Sequence, residues 1–111
     1  MNNLTEKHCE PCEGGITAMS FKAAKTEATK LDQWDLNDTG TEISKNFQFK
    51  DFYRTMAFVN AVAFIANREN HHPDLSVGYN YCHIRYSTHA INGLSINDFI
   101  CAAKIDAINA F

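Results

Sequence analysis

Residues 50–67, KDFYRTMAFVNAVAFIAN, are the stretch that decides the fold. Their apolar residues recur at helical spacing and predict one long helix, with Asp51 near the N-terminus, where the helix dipole favours negative charge. The apolar residues form two stripes, one through Phe52, Met56, Val59, Ala63 and Ala66 and the other through Phe58, Val62 and Ile65. A helix that is apolar on two sides needs cover on both, and a small domain usually covers one. The second stripe therefore predicts a helix-to-helix interface between subunits.

Upstream of this helix, the pattern predicts a shorter helix and a hairpin. Apolar residues at helical spacing between residues 21 and 31 indicate an amphipathic helix. Residues 34–36 and 42–49 are predicted strands, the second with period-two alternation, and the intervening residues 37–40, NDTG, suit a tight turn. We expect these two strands to pair antiparallel.

Downstream, the pattern predicts a second hairpin and a last helix. Residues 75–88 alternate between apolar and polar, with Asn80 near the middle as the turn. Ser95 and Asp98 resemble a capping box with Asp in place of Glu, which we interpret as the start of a helix. The order αββαββα predicts an α+β domain, a four-stranded antiparallel sheet with three helices packed on one face.

Length and composition limit the class of protein. The chain has 111 residues, 45% of them hydrophobic, which is typical of one compact domain. Residues 1–16 carry little apolar periodicity, so we expect a flexible N-terminal arm followed by a single domain over residues 17–111. A formal charge of −3 disfavours binding to nucleic acid, since no excess of cations is present to neutralise phosphates. No apolar run is long enough to span a membrane and no secretion signal is evident, so we expect a cytoplasmic protein.

Three histidines are the candidate catalytic residues. His71 and His72 follow the long helix, and Pro73 keeps His72 out of helical dihedrals. His89 closes the second hairpin, whose predicted turn at residue 80 lies midway between residues 71 and 89. Antiparallel pairing therefore predicts that the three side chains meet. Imidazoles titrate near neutrality, so such a cluster can supply both an acid and a base.

Other interpretations of these residues remain open. Histidines at loop ends are also typical of capping or surface groups, and a three-histidine zinc site is a further alternative. Adjacent residues in extended backbone point to opposite sides, which disfavours His71 and His72 as ligands of one ion. Cys9 and Cys12 form a single Cys-x-x-Cys without a second pair, which is weak evidence for a metal or redox site. For Asp98 we favour a helix cap over a role in the site.

Residues 70–89, NHHPDLSVGYNYCHIRYSTH, with residues 93–95, GLS, beyond them, resemble the signature of the pterin-4a-carbinolamine dehydratases. The resemblance continues upstream through residues 47–52 and 57–60 and covers about residues 20–110. It implies removal of water from 4a-hydroxytetrahydropterin to give the quinonoid dihydropterin, which recycles the pterin cofactor of an aromatic amino acid hydroxylase in phenylalanine hydroxylation. It implies no metal and no organic cofactor, because the pterin is the substrate.

The resemblance also implies roles for individual residues. His71 and His89 would be the acid and the base, in an order left open, while His72 would orient the ring and share in proton transfer. Contacts to the pterin are implied for Asn70, Ser87, Thr88 and Ala90. The chain departs from many relatives at Asn67 and Ala90, where a Glu is common. The missing carboxylate at residue 67 puts the protonation of the histidines in question.

The resemblance finally implies an assembly. Members of the family form dimers and tetramers through the long helix, so we expect a homodimer or homotetramer through helix 51–67. Some relatives also associate with the dimerisation helices of a transcription factor. A protein-binding module that uses the same helix is therefore the alternative to an enzyme.

Overall fold

The computed structural model describes residues 4–10 and 17–108. Its helices are α1 (Phe21–Ala28), α2 (Phe52–Glu69) and α3 (Ile96–Ala107), and its strands are β1 (Asp35–Leu36), β2 (Ile43–Gln48), β3 (Asp74–Val77) and β4 (Tyr81–Tyr86). Short 3₁₀ turns lie at Leu4–Glu6 and His89–Ile91. Apart from these turns, the order is the αββαββα that the sequence predicts, and the α+β fold class is confirmed.

The four strands form one antiparallel sheet in the order β1-β2-β4-β3. The two inner strands are in register with Ile43 opposite Tyr86 and Phe47 opposite Cys82. These four side chains are buried together with Ile84, whereas the alternating residues of β4 are more exposed. One face of the sheet therefore forms the core, as the period-two pattern predicts.

The ends of α2 fix the path of the chain on both sides. Asp51 caps the first turn by accepting a hydrogen bond from the backbone N–H of Arg54 at 2.9 Å. Asn70 ends the helix in the left-handed conformation, at φ 51°, which Asn tolerates better than most residues. The chain reverses there and enters β3, so His71 and His72 lie in the connection between α2 and the sheet.

The assignment of the two apolar stripes of α2 was wrong. Phe58 and Val62 are fully buried in the core of the chain itself, and Ile65 is 9% exposed, so this stripe is not available for a subunit interface. The large apolar and aromatic side chains that α2 leaves exposed are instead Phe52 at 50%, Tyr53 at 82% and Phe64 at 66%. Periodicity shows that two stripes exist, but the sheet covers only one of them, and the pattern does not say which.

The described part of the N-terminal segment, residues 4–10, lies against α2 and α3. Leu4 is 2% exposed, and Lys104 of α3 donates a hydrogen bond to the Thr5 carbonyl at 2.9 Å. These contacts show where residues 4–10 lie but do not measure how they move. The flexibility of the arm at residues 1–16 therefore stays a prediction. Cys12 lies outside the described residues. Within residues 4–10 and 17–108, no helix has the length and apolar character needed to cross a membrane.

Candidate active site

A cleft of about 450 Å³ lies where the chain leaves α2 and where it leaves β4. All the residues for which the sequence predicts a site role line this cleft, namely Asn70, His71, His72, Ser87, Thr88, His89 and Ala90. The remaining lining residues were not predicted, and they are Cys9, Glu10, Glu69 and Asn97. The structure thus brings the three histidines of the two distant segments to one cavity.

Strand pairing explains why the two segments meet. In the β3–β4 hairpin Asp74 is opposite Arg85, so the residues just before β3 lie beside those just after β4. The backbone N–H of His71 also donates to the Ala66 carbonyl at 3.1 Å, which holds this residue at the helix end. The symmetry about the turn that the sequence suggests is therefore present in the structure.

His71 is held on two sides. Its Nε2 lies 2.6 Å from Oδ1 of Asp98, and its ring stacks on Tyr86 with 5.6 Å between centroids and 6° between planes. The His71 side chain is 13% exposed and that of Asp98 is not exposed. The histidine is therefore oriented by a buried carboxylate and an aromatic face, with only a small part of the ring open to the cleft.

The second oxygen of Asp98 organises the neighbouring backbone. Oδ2 accepts hydrogen bonds from Thr88 Oγ1 at 2.7 Å and from the backbone N–H of Ser95 at 3.0 Å. The Ser95 contact completes the capping box at the start of α3, so the predicted cap is present. The same carboxylate also pairs with His71, a role that the cap interpretation did not include. A helix cap uses only one carboxylate oxygen. The second oxygen of Asp98, which the cap does not need, was therefore the sequence signal for a further contact.

The contact with Asp98 sets the protonation of His71. Burial of the ring lowers its pKa, but the hydrogen bond and the negative charge of Asp98 outweigh burial, so the pKa of His71 is raised above its ordinary value. Asn67 does not supply the carboxylate that the family resemblance leads us to expect there, and the carboxylate that pairs with His71 is that of Asp98, from α3. Glu69, the acidic residue nearest in sequence, is not bonded to His71.

His72 and His89 complete the imidazole cluster. Both residues are exposed and both line the cleft, His72 after α2 and His89 in the 3₁₀ turn after β4. Their rings are therefore accessible to a molecule that enters the cleft. His83, on β4, and His8, which lies 3.0 Å from Glu69 Oε2, are not among the lining residues.

Glu69 and Asn97 place the N-terminal segment at the cleft. Glu69 Oε1 accepts the backbone N–H of Cys9 at 2.8 Å, and Asn97 Oδ1 accepts that of Glu10 at 3.0 Å. Burial opposes ionisation of Glu69, but the hydrogen bonds from Cys9 and His8 and the charge of Lys104 together lower its pKa. Polar contacts of this kind have no hydrophobic periodicity, which is why the sequence did not predict them.

The described residues also bear on the zinc alternative. In residues 4–10 and 17–108, no three or more His, Cys, Asp and Glu side chains are grouped in a way that could hold a metal ion.

Comparisons with known proteins all indicate the same family. The family model described as "Pterin 4 alpha carbinolamine dehydratase" matches residues 17–108. A protein of Legionella pneumophila strain Lens, provisionally named pterin-4-alpha-carbinolamine dehydratase, is 55% identical over 108 residues, which are 96% of each chain. A protein of Nitrosomonas europaea with the same provisional name is 51% identical over 107 residues, 96% of this chain and 93% of its own.

Solved structures agree with these sequence matches. The transcriptional coactivator/pterin dehydratase from Brucella melitensis is similar with a TM-score of 0.78 and 29% identity, over 83% of this chain and 98% of its own. A pterin dehydratase-like protein described as a RuBisCO assembly factor shares the fold, with a TM-score of 0.62 and 22% identity, over 71% of this chain and 92% of its own. The chain therefore belongs to the pterin-4a-carbinolamine dehydratase family.

Proposed function

We propose that this protein removes water from 4a-hydroxytetrahydropterin to give the quinonoid dihydropterin. The reaction is that of a hydro-lyase and would recycle the cofactor of an aromatic amino acid hydroxylase, such as a phenylalanine hydroxylase, in the cytoplasm. Family membership supports the substrate class. The observation that carries the proposal is the cleft in which His71, paired with a buried carboxylate, lies with two accessible histidines.

The chemistry requires two proton transfers. The N5 lone pair expels the hydroxyl at C4a, and the leaving oxygen takes up a proton. N5 then loses its own proton. The net change is the loss of one water, with no external oxidant or reductant. Each positioned proton transfer contributes about 10²- to 10⁴-fold in rate. Because Asp98 favours the protonated form of His71, we propose that His71 donates the proton to the leaving oxygen. His89 would then accept the proton from N5.

The remaining lining residues would bind the flat pterin ring. The cleft volume of about 450 Å³ is within the range of small-molecule sites. We propose that His72 orients the ring and shares in proton transfer, and that Asn70 and the backbone of residues 87–90 bond its polar edge. The Thr88 hydroxyl donates to Asp98, and its backbone N–H and carbonyl pair with Gly93 and Ile91, so Thr88 would mainly shape the wall against which the ring lies. No metal or organic cofactor is part of this proposal.

The test is a rate measurement on the purified protein. An aromatic amino acid hydroxylase generates the carbinolamine, and its loss is followed by absorbance. We expect His89→Ala to lose about 100-fold or more of the acceleration, and His83→Ala, a matched change outside the cleft, to retain it. Equal rates for wild type and His89→Ala would contradict the assignment.

A second proposal concerns assembly through helix 51–67. The observation that favours it is the exposed apolar side of α2, which includes Phe52, Tyr53 and Phe64 at 50%, 82% and 66% exposure. We propose that this side forms a homodimer or homotetramer. The alternative function, a protein-binding module, would use the same side. Sedimentation of wild type and Phe64→Ser distinguishes these outcomes, since only self-association changes the mass of the purified protein.

A further inference from the structure

Two cysteine thiols that the proposed reaction does not use are in contact at the wall of the cleft. Sγ of Cys9, in the N-terminal segment, lies 3.5 Å from Sγ of Cys101, in α3, although 92 residues separate them in sequence. Cys101 is fully buried, whereas Cys9 is partly exposed and lines the cleft. A disulfide bond is about 2.05 Å long, so a movement of about 1.5 Å would join the two sulfurs.

The backbone on both sides of this contact is fixed. Cys101 lies within α3. Cys9 is held by Glu69 through its own N–H, and the next residue, Glu10, exchanges two hydrogen bonds with the Asn97 side chain at 3.0 and 2.6 Å. The sulfur atoms are therefore kept together by a docked segment and not by a chance encounter of two side chains.

The two thiols differ in a way that suits oxidation. The hydrogen bond from Cys9 lowers the pKa of Cys101 although burial opposes it, and the charge of His71 and the hydroxyl of Tyr86 act in the same direction. A thiolate is the nucleophile in disulfide formation, and a partly exposed partner gives an oxidant access. Cys101 is thus the thiol of the pair that ionises more readily, while the hydrogen bond to Cys101 and burial raise the pKa of Cys9, which is the accessible sulfur.

We propose that Cys9 and Cys101 are a modification site that forms a reversible disulfide with a peroxide as oxidant. The two S–H bonds and the peroxide O–O bond break, one S–S bond forms, and two electrons pass from sulfur to oxygen. The two thiol protons leave in the two water molecules that hydrogen peroxide gives. The bond would fasten the N-terminal segment to α3 at the wall of the cleft. This proposal does not depend on the pterin reaction.

The test uses the full chain, reduced and then treated with hydrogen peroxide. We expect two of the four thiols to be lost, a mass decrease of about 2 Da, and a cross-linked peptide pair that contains Cys9 and Cys101. Dithiothreitol should restore all four thiols. Because the link closes a long loop, the midpoint of thermal unfolding (Tm) should rise by about 5 °C or more.

Variants separate this pair from the neighbouring cysteines. Cys12→Ser and Cys82→Ala should still form the link, and Cys101→Ala should not. Peptide mapping of the wild type decides the question even where a variant folds poorly. A link between Cys9 and Cys12, or oxidation without any intrachain link, would overturn the proposal.

Discussion

Replacing Asp98 by Asn removes the negative charge beside His71 and keeps the size of the side chain. In the wild type, one oxygen of Asp98 pairs with His71 at 2.6 Å, and the other accepts from Thr88 and Ser95. An Asn carbonyl can keep the Thr88 and Ser95 contacts, which leaves its NH₂ group facing His71. That group donates, so it favours the neutral imidazole. The substitution is therefore expected to lower the pKa of His71.

The magnitude follows from the hydrogen bond that changes. A bond to a charged group contributes about 1.5–3 kcal/mol and a neutral one about 0.5–1.5 kcal/mol, so Asp98→Asn should lower the free energy of unfolding by about 1–2 kcal/mol. The folded state raises the pKa of His71. The resulting stabilisation is fully present below the ordinary histidine pKa and is lost as the pH rises through the raised value. The difference between wild type and variant should therefore be larger at pH 6 than at pH 9.

Two measurements check this prediction. Nuclear magnetic resonance follows the titration of the His71 ring, and urea denaturation at the two pH values gives the free energies. The matched control is Asp106→Asn, also in α3, whose carboxylate accepts from Trp34 and Lys45 instead. This control should destabilise the protein without moving the titration of His71. A His71 titration that is the same in wild type and Asp98→Asn would refute the reasoning.

Three further predictions concern packing and anchoring. Phe58→Ala should cost about 3–5 kcal/mol of unfolding free energy in urea, because Phe58 is fully buried, whereas Tyr79→Ala, at 66% exposure and outside α2, should cost under about 0.5 kcal/mol. Gly40→Ala should cost about 1–3 kcal/mol in the same assay, because Gly40 has φ +69° and a Cβ would lie 2.8 Å from the Phe21 ring. Glu69→Gln should speed hydrogen exchange at the Cys9 amide, which donates to Glu69, near pH 7, an effect that fades as the pH falls through the lowered pKa of Glu69.

Local patterns were sufficient for the secondary structure and for the meeting of the histidines. The two hairpins follow from alternation and turn residues, and antiparallel pairing about the second turn carries His89 back to His71. These inferences need only residues close in sequence or related by one turn. For the same reason they succeed without knowledge of how the helices pack.

The failures concern long-range contacts. The direction in which α2 presents Phe58 depends on the sheet that packs against it, and helical spacing does not contain that information. The pairing of Asp98 with His71 joins two elements of the fold. It was missed because a helix cap already gave Asp98 a role within its own helix. The docking of Cys9 beside Cys101 rests on a buried Glu69 and on backbone hydrogen bonds, which leave no pattern in the sequence.

The central claim is that this cleft transfers protons to and from a pterin carbinolamine. Its most direct test is the first-order rate of carbinolamine loss at pH 7 in buffer alone, with the wild type, and with His71→Gln. We predict an acceleration of about 100-fold or more that is proportional to protein concentration and is mostly lost in His71→Gln. A rate with the wild type that equals the rate in buffer would contradict the claim.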